Sequence, residues 1–192
     1  MTSKAPLGVV LAGGAGTRLG GAKALAPLRG EPLLLRPLQA LGEAVGEVVV
    51  VAKRSTALPG LPPGVALWVE PDEPRHPLTG VVHALDAAGG RPVLVLAVDL
   101  PLVTAGLLRE LSLSDSTGAP AVVAVAGGEL QPLCARYEPA SRAVLAAALP
   151  DGRVLDAVRA LRPALVEAGD PALLANVNTP EDLARVEAAL AR

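Results

Sequence analysis

The sequence predicts an α/β fold: a three-layer α/β/α sandwich in which helices cover both faces of a mostly parallel sheet. Three observations carry this expectation. Short valine-rich apolar runs alternate with segments of helical leucine spacing. The runs are apolar throughout, as strands buried on both faces must be. Glycines and prolines punctuate the connections between them.

Residues 7–12 form an apolar run that stops at Gly13-Gly14 and reads as a buried strand. A glycine-rich loop follows to Lys23, and the leucine spacing of residues 32–41 predicts a helix. Residues 47–52 and 65–69 read as strands, separated by a loop with Pro59-Gly60 and Pro62-Pro63 as breakers. After a proline-rich loop, residues 79–88 predict a helix with Thr79 as N-cap. Residues 92–98 are the most strand-like segment and end at Asp99, with a short helix capped by Thr104 after them. Residues 121–126 and 130–137 flank Gly127-Gly128 as two strands around a turn. Residues 139–149 and 154–161 read as helices, 164–168 and 173–177 as short strands. The last helix, 179–190, has Thr179 as N-cap, Pro180 in first position and Asp182 three residues on.

The chain has 192 residues, 51% hydrophobic and 19% charged, which suits one domain spanning 1–192 with a full core. A net charge of −2 argues against a general nucleic-acid binder, so an anionic ligand needs a local positive site. The single cysteine, Cys134, excludes an intrachain disulfide and fits a reducing, cytoplasmic setting. The apolar stretch 92–103 is interrupted by Asp99 and two prolines and falls short of the ~20 residues of a spanning helix, so no membrane segment is expected. The start leads into a strand-like run and does not read as a signal peptide. Phe and Ile are absent, Lys occurs only at 4, 23 and 53, and Asn only at 176 and 178. In so biased a chain, a retained Lys or Asn either points to chemistry that Arg or Asp could not supply or is there by chance.

In parallel sheets, ligands bind outside the carboxyl ends of the strands. Gly13-Gly14, Pro71-Asp72 and Asp99 all fall just after strands. The loop 13–23 holds five glycines with Arg18 and Lys23. Glycine lets backbone N–H groups wrap an anion, and the two cations can neutralise phosphate oxygens. The loop is not a P-loop, because Ala22 precedes Lys23 and Ala24 cannot bind magnesium. It is not the dinucleotide fingerprint either, because Leu19 stands where the third glycine belongs. Asp99, a lone carboxylate ending a buried strand, needs a cation and is a natural magnesium ligand beside a phosphate loop. Capping of the next helix is the structural alternative, but Thr104 already fills that role. Asn176 and Asn178 lie outside the last helix, where they either contact ligand or serve only its start. His76 and His83 are read as incidental, and Cys134 as a buried thiol.

These motifs together resemble the nucleotidyltransferases with the loop Leu-Ala-Gly-Gly-x-x-x-Arg-Met-Gly-x-x-Lys. Here the loop reads Leu11-Ala12-Gly13-Gly14, Arg18-Leu19-Gly20 and Lys23. Within that family the chain is most similar to the molybdenum cofactor guanylyltransferases. Pro77-Leu78-Thr79-Gly80, Val98-Asp99-Leu100-Pro101, the segment 131–137 and Asn176-Val177-Asn178-Thr179-Pro180-Glu181-Asp182 follow in the order expected of them. The resemblance implies a Rossmann-like sheet of the nucleotide-diphospho-sugar transferase type. It implies transfer of GMP from GTP to the phosphate of molybdopterin cofactor, with release of pyrophosphate. GTP would lie on Leu11, Ala12, Gly13 and Gly14, with Arg18 and Lys23 on its phosphates and Asp99 on Mg²⁺. Asp72, or else Glu70, would be the second acidic residue, and Asn178 a further ligand contact. Relatives carry Asn at the end of the second strand and Gly before Pro-Leu-Ala-Gly, where this chain has Val51-Ala52 and His76. A CTP-dependent molybdopterin enzyme, a sugar-phosphate nucleotidyltransferase and a nucleotide-binding assembly module without turnover are the alternatives. Transient contact with other cofactor-biosynthesis proteins or molybdoenzymes fits the first reading.

Overall fold

The computed structural model describes residues 4–14, 22–115 and 118–191. Strand β1 (Leu7–Leu11) opens the chain, and a short 3-10 turn at Lys23–Leu25 precedes a small hairpin of β2 (Pro27–Leu28) and β3 (Glu31–Pro32). Helix α1 (Leu35–Val45), strands β4 (Val48–Ala52) and β5 (Ala66–Val69), and helix α2 (Pro77–Ala87) follow. Strand β6 (Val93–Ala97) leads to α3 (Ala105–Leu113) and then to the pair β7 (Ala121–Ala126) and β8 (Glu129–Tyr137). Helices α4 (Arg142–Ala147) and α5 (Val154–Ala160), strand β9 (Ala164–Glu167) and helix α6 (Pro180–Leu190) complete the order.

Seven strands form one sheet in the order β5-β4-β1-β6-β8-β7-β9. All pairings are parallel except those of β8, which runs antiparallel to both β6 and β7. The expected Gly127-Gly128 turn is present, with φ of +57° and +82°, a conformation that only glycine adopts without strain.

Side chains alternate across the strands and so build two cores. Val10, Val50 and Leu96 pack with Leu38 and Leu41 of α1 and with Leu107, Leu108 and Leu111 of α3. Val9, Val51 and Val95 pack on the other face with Val81 and Leu85 of α2, Leu145 of α4 and Val158 of α5. A smaller third cluster joins Leu28 and Leu33, beside the β2–β3 hairpin, to Val177 and Val186 of the α6 region. There the Arg29 backbone N–H donates to Glu187 Oε1 at 2.8 Å, and its guanidinium donates to the Leu190 carbonyl at 2.7 Å. This cluster brings the segment after Lys23 against the segment before α6.

Four larger differences from the sequence expectation stand out, the first being that residues 139–149 are not one helix but a 3-10 turn at Pro139–Ser141 followed by α4, which ends at Ala147. Helix α1 begins three residues later, because Glu31–Pro32 pairs as β3, and it runs on to Val45, with Gly46 as its C-cap. Helix α2 is capped by His76, not Thr79. Pro77 sets the first helical φ, and the Thr79 hydroxyl instead donates back to the Pro74 carbonyl at 2.8 Å. Residues 173–177 do not form a strand. Asp170 caps a 3-10 turn at Pro171–Leu174 by accepting from the Ala172 N–H at 2.9 Å, which draws that segment out of the sheet.

Candidate functional site

The chain passes from β1 outward through β4 to β5 and then returns to place β6 on the opposite side of β1. The strand order thus reverses between β1 and β6, the place where a sheet of this kind leaves a crevice at the carboxyl ends of its strands. A cavity of about 930 Å³ occupies this position. Of the residues expected there, Leu11, Gly13, Gly14, Lys23, Asp72 and Asp99 line it together. Ala12 does not. Its side chain is 3% exposed within the first core, and its N–H donates to the Val51 carbonyl at 2.9 Å. Arg18 lies outside the described residues, as does most of its loop. Asn178 does not line the cavity, but among the described residues its side chain meets Lys23, which does.

Lys23 is the hub. Its ammonium donates to Asp99 Oδ2 at 3.0 Å and to Asn178 Oδ1 at 2.7 Å. The Val177 N–H donates to the Asp99 carbonyl at 2.9 Å, which fixes the asparagine segment against the end of β6. Asn178 is set by the cap of α6, where Asp182 Oδ2 accepts from the N–H groups of Asn178 and Thr179 at 2.9 and 3.0 Å. Thr179 caps the helix as expected, and with Asp182 it makes a full capping box that also sets the residue meeting Lys23.

Two residues carry more of the site than the sequence suggested. Glu70, the lesser of the two acidic candidates, is 7% exposed. Its carboxylate fills the space left by two glycines: a Cβ on Gly13 would stand 1.9 Å from its Oε1, and one on Gly80 would stand 2.9 Å from its Oε2. Gly13 is therefore glycine to admit this carboxylate. A Cβ on Gly14, by contrast, would meet nothing within 4 Å among the described residues, which leaves room for a ligand on that side. Burial pushes the Glu70 carboxyl above the usual range, and the ammonium of Lys53, 3.7 Å from Oε1, only partly offsets this. Lys53 also donates to the carbonyls of Pro71 and Asp72 at 2.7 and 3.0 Å, lashing that loop to the end of β4. Its signal in the sequence was its rarity, as one of three lysines.

His76 has a structural task. Its Nδ1 accepts from the Leu78 N–H at 3.2 Å, so its Nε2 carries the proton and donates to the Gly152 carbonyl at 2.7 Å. Cys134 is buried in the sheet, and burial pushes its thiol up to about 12, which suits packing and not nucleophilic attack.

The model of the MobA-like NTP transferase domain matches residues 8–175. The chain is 40% identical over 190 residues to a molybdenum cofactor guanylyltransferase of Cereibacter sphaeroides, covering 95% of this chain and 96% of the relative. It is 32% identical to one from Xanthomonas euvesicatoria pv. vesicatoria, covering 97% of each. Among solved structures it is similar to a nucleotidyl transferase from Methanothermobacter thermautotroptrophicus, with a TM-score of 0.79, 25% identity and 99% of each chain covered.

Proposed function

The chain belongs to the MobA-like NTP transferase family, and from that membership we propose that its cavity transfers GMP from GTP to the terminal phosphate of molybdopterin cofactor, releasing pyrophosphate. It is a nucleotidyltransferase of molybdenum cofactor biosynthesis. The observation that carries the reading is the convergence of Gly13-Gly14, Lys23 and Asp99 at the ends of β1 and β6. A pocket of this kind cradles phosphate on backbone N–H groups, supplies a cation to the transferring phosphoryl group, and holds one carboxylate for a metal.

Among the described residues no group of three or more His, Cys, Asp or Glu could hold a metal by itself. That fits magnesium, which takes one or two carboxylates and fills its sphere with substrate phosphates and water. Asp99 would hold it. Its Oδ2 faces Lys23, its Oδ1 has no hydrogen bond among the described residues, and its side chain is 22% exposed. When bound, magnesium would offset charge developing on the phosphates. The acceptor phosphate is already ionised, so no residue has to remove a proton from it. The protein's part is alignment and charge: the glycine loop positions the triphosphate, and Lys23, with Arg18, meets the charge that shifts onto the leaving pyrophosphate.

Glu70 favours guanine over cytosine. Guanine presents a ring N–H and an amino group side by side, a donor pair that matches a carboxylate's two oxygens. Cytosine offers an amino group with no adjacent ring N–H. Asp72, exposed on the same cavity, would serve the nucleoside from the other end of the loop that Lys53 fixes. The test is pyrophosphate release on mixing the protein with Mg²⁺, molybdopterin and each of GTP, CTP, ATP and UTP. GTP is expected to be preferred. Preference for CTP would assign the cytidylyl reaction, and no release with any of them would favour a binding module.

Two variants bear on the nucleotide. Gly14→Val adds a side chain where the protein leaves space, so the melting temperature is expected to hold while GTP affinity falls at least ~10-fold. Unchanged affinity by calorimetry would exclude the phosphate cradle. Glu70→Gln is expected to lower GTP affinity by roughly 10- to 100-fold, the loss of hydrogen bonds to a charged acceptor. It is also expected to raise stability at pH 7. Burial lifts the folded-state pKa above the unfolded value, so wild type loses stability as pH rises from the ordinary carboxylate range through the raised one. Glutamine is neutral at every pH and escapes that loss. The advantage should close in acid, where Glu70 is protonated in both states. A variant that melts lower than wild type at pH 7 would show that the attraction of Lys53 outweighs burial.

A further inference from the structure

An ammonium has three N–H donors. In Lys23 two are spoken for, one by a carboxylate and one by an amide, Asp99 Oδ2 at 3.0 Å and Asn178 Oδ1 at 2.7 Å. Building on the nucleotidyl-transfer reading, we propose that Asn178 is a positioning residue for Lys23. Its amide oxygen holds the ammonium in place for the substrate phosphates.

The two acceptors are not equivalent. Asp99 is the group that would hold magnesium, so its carboxylate is shared between two cations. The amide is under no such competition. It is also neutral, so it orients the ammonium without cancelling the charge that the phosphates need. An aspartate at this position would neutralise that charge and repel the triphosphate. The arrangement is rigid where it has to be. Asn178 is held through its own N–H by Asp182, and Val177 is held by the Asp99 carbonyl, so the amide approaches Lys23 from a fixed base. The Asn178 side chain is otherwise exposed, so it could have been satisfied by water. Its short contact with a lysine 155 residues away is therefore not forced by burial. Asn176, the other asparagine of the chain, has no hydrogen bond to Lys23 among the described residues, which separates the roles of the two.

A double-mutant cycle tests this. Single-turnover pyrophosphate release would be measured at saturating Mg²⁺, GTP and acceptor for wild type, Asn178→Ala, Lys23→Ala and the double variant. Asn178→Ala is expected to lower the rate roughly tenfold, and a separate steady-state GTP titration is expected to give a KM within about twofold of wild type, as the loss of one positioning hydrogen bond would. In the Lys23→Ala background the same substitution is expected to cost nothing further. Equal losses in both backgrounds would overturn the proposal and make Asn178 a direct contact to substrate. A Lys23→Ala variant as active as wild type would overturn it too, while pyrophosphate release by wild type would show that nucleotidyl transfer itself stands. A second readout needs no turnover. With only three lysines in the chain, lysine labelled with carbon-13 at Cε gives three assignable signals. In the ligand-free protein Asn178→Ala should move the Lys23 signal and leave those of Lys4 and Lys53 in place. An unmoved Lys23 signal would overturn the proposal.

Discussion

Asp99→Asn is expected to lower magnesium-dependent pyrophosphate release on the order of 10³-fold while the protein stays folded. The size follows from losing an anchor for a metal that contributes several kcal/mol of charge stabilisation, at about 1.4 kcal/mol per tenfold in rate. The fold survives because the substitution keeps the shape of the side chain. The contact that joins β6 to the asparagine segment uses the backbone carbonyl of Asp99, which is untouched. The new amide can still accept from Lys23, so that ammonium keeps both partners. What disappears is the negative charge. Adding a chelator to wild type should bring it down to the level of the variant, and the variant itself should respond little to magnesium. Near-normal release by Asp99→Asn would exclude Asp99 as the metal ligand.

Lys23→Ala is expected to cost roughly 10²- to 10³-fold in turnover, the usual range for removing a donor aimed at developing charge. GTP affinity should fall as well, because the proposed role sets the ammonium on the phosphates before and during the reaction. The substitution also leaves Asp99 and Asn178 without their shared donor. Lys23→Arg should recover part of the affinity but little of the turnover. A guanidinium restores charge, but it is bulkier, and its donors are fixed in one plane, so it cannot follow the phosphates as a compact ammonium does. Full activity in Lys23→Arg would show that charge alone suffices. Full activity in Lys23→Ala would remove Lys23 from the mechanism.

Much of the fold was legible because the central strands are uniformly apolar. Runs such as Val48–Ala52 and Val93–Ala97 are buried at every position and fit no other place than the middle of a covered sheet. That Gly13, Gly14 and Asp99 share one crevice was legible because each follows such a strand, where position alone implies it. Glu70 and Lys53 were harder to see. Their importance lies in a fit between segments distant in sequence: a carboxylate seated in the space of two glycines, 57 and 10 positions away, which no local pattern encodes. The N-cap at His76 was missed because Thr79 is the better capping residue by type, while Pro77 fixes where the helix begins. Asn178 was legible as a residue of interest, but its partner was not, since only the folded chain brings residue 178 to residue 23.

That last contact also orders events during synthesis. A ribosome delivers the chain amino end first, so the glycine loop, Lys23 and Asp99 emerge long before residue 178. Strands β1, β4 and β6 can pair and the crevice can form while the amide that steadies Lys23 is still unmade. Joining residue 23 to residue 178 closes a loop through most of the chain, and it follows the building of everything in between. The contacts around Lys23 are thus completed only when the segment leading into α6 has been made. A nascent chain with its sheet already in place still lacks the part that holds its principal cation.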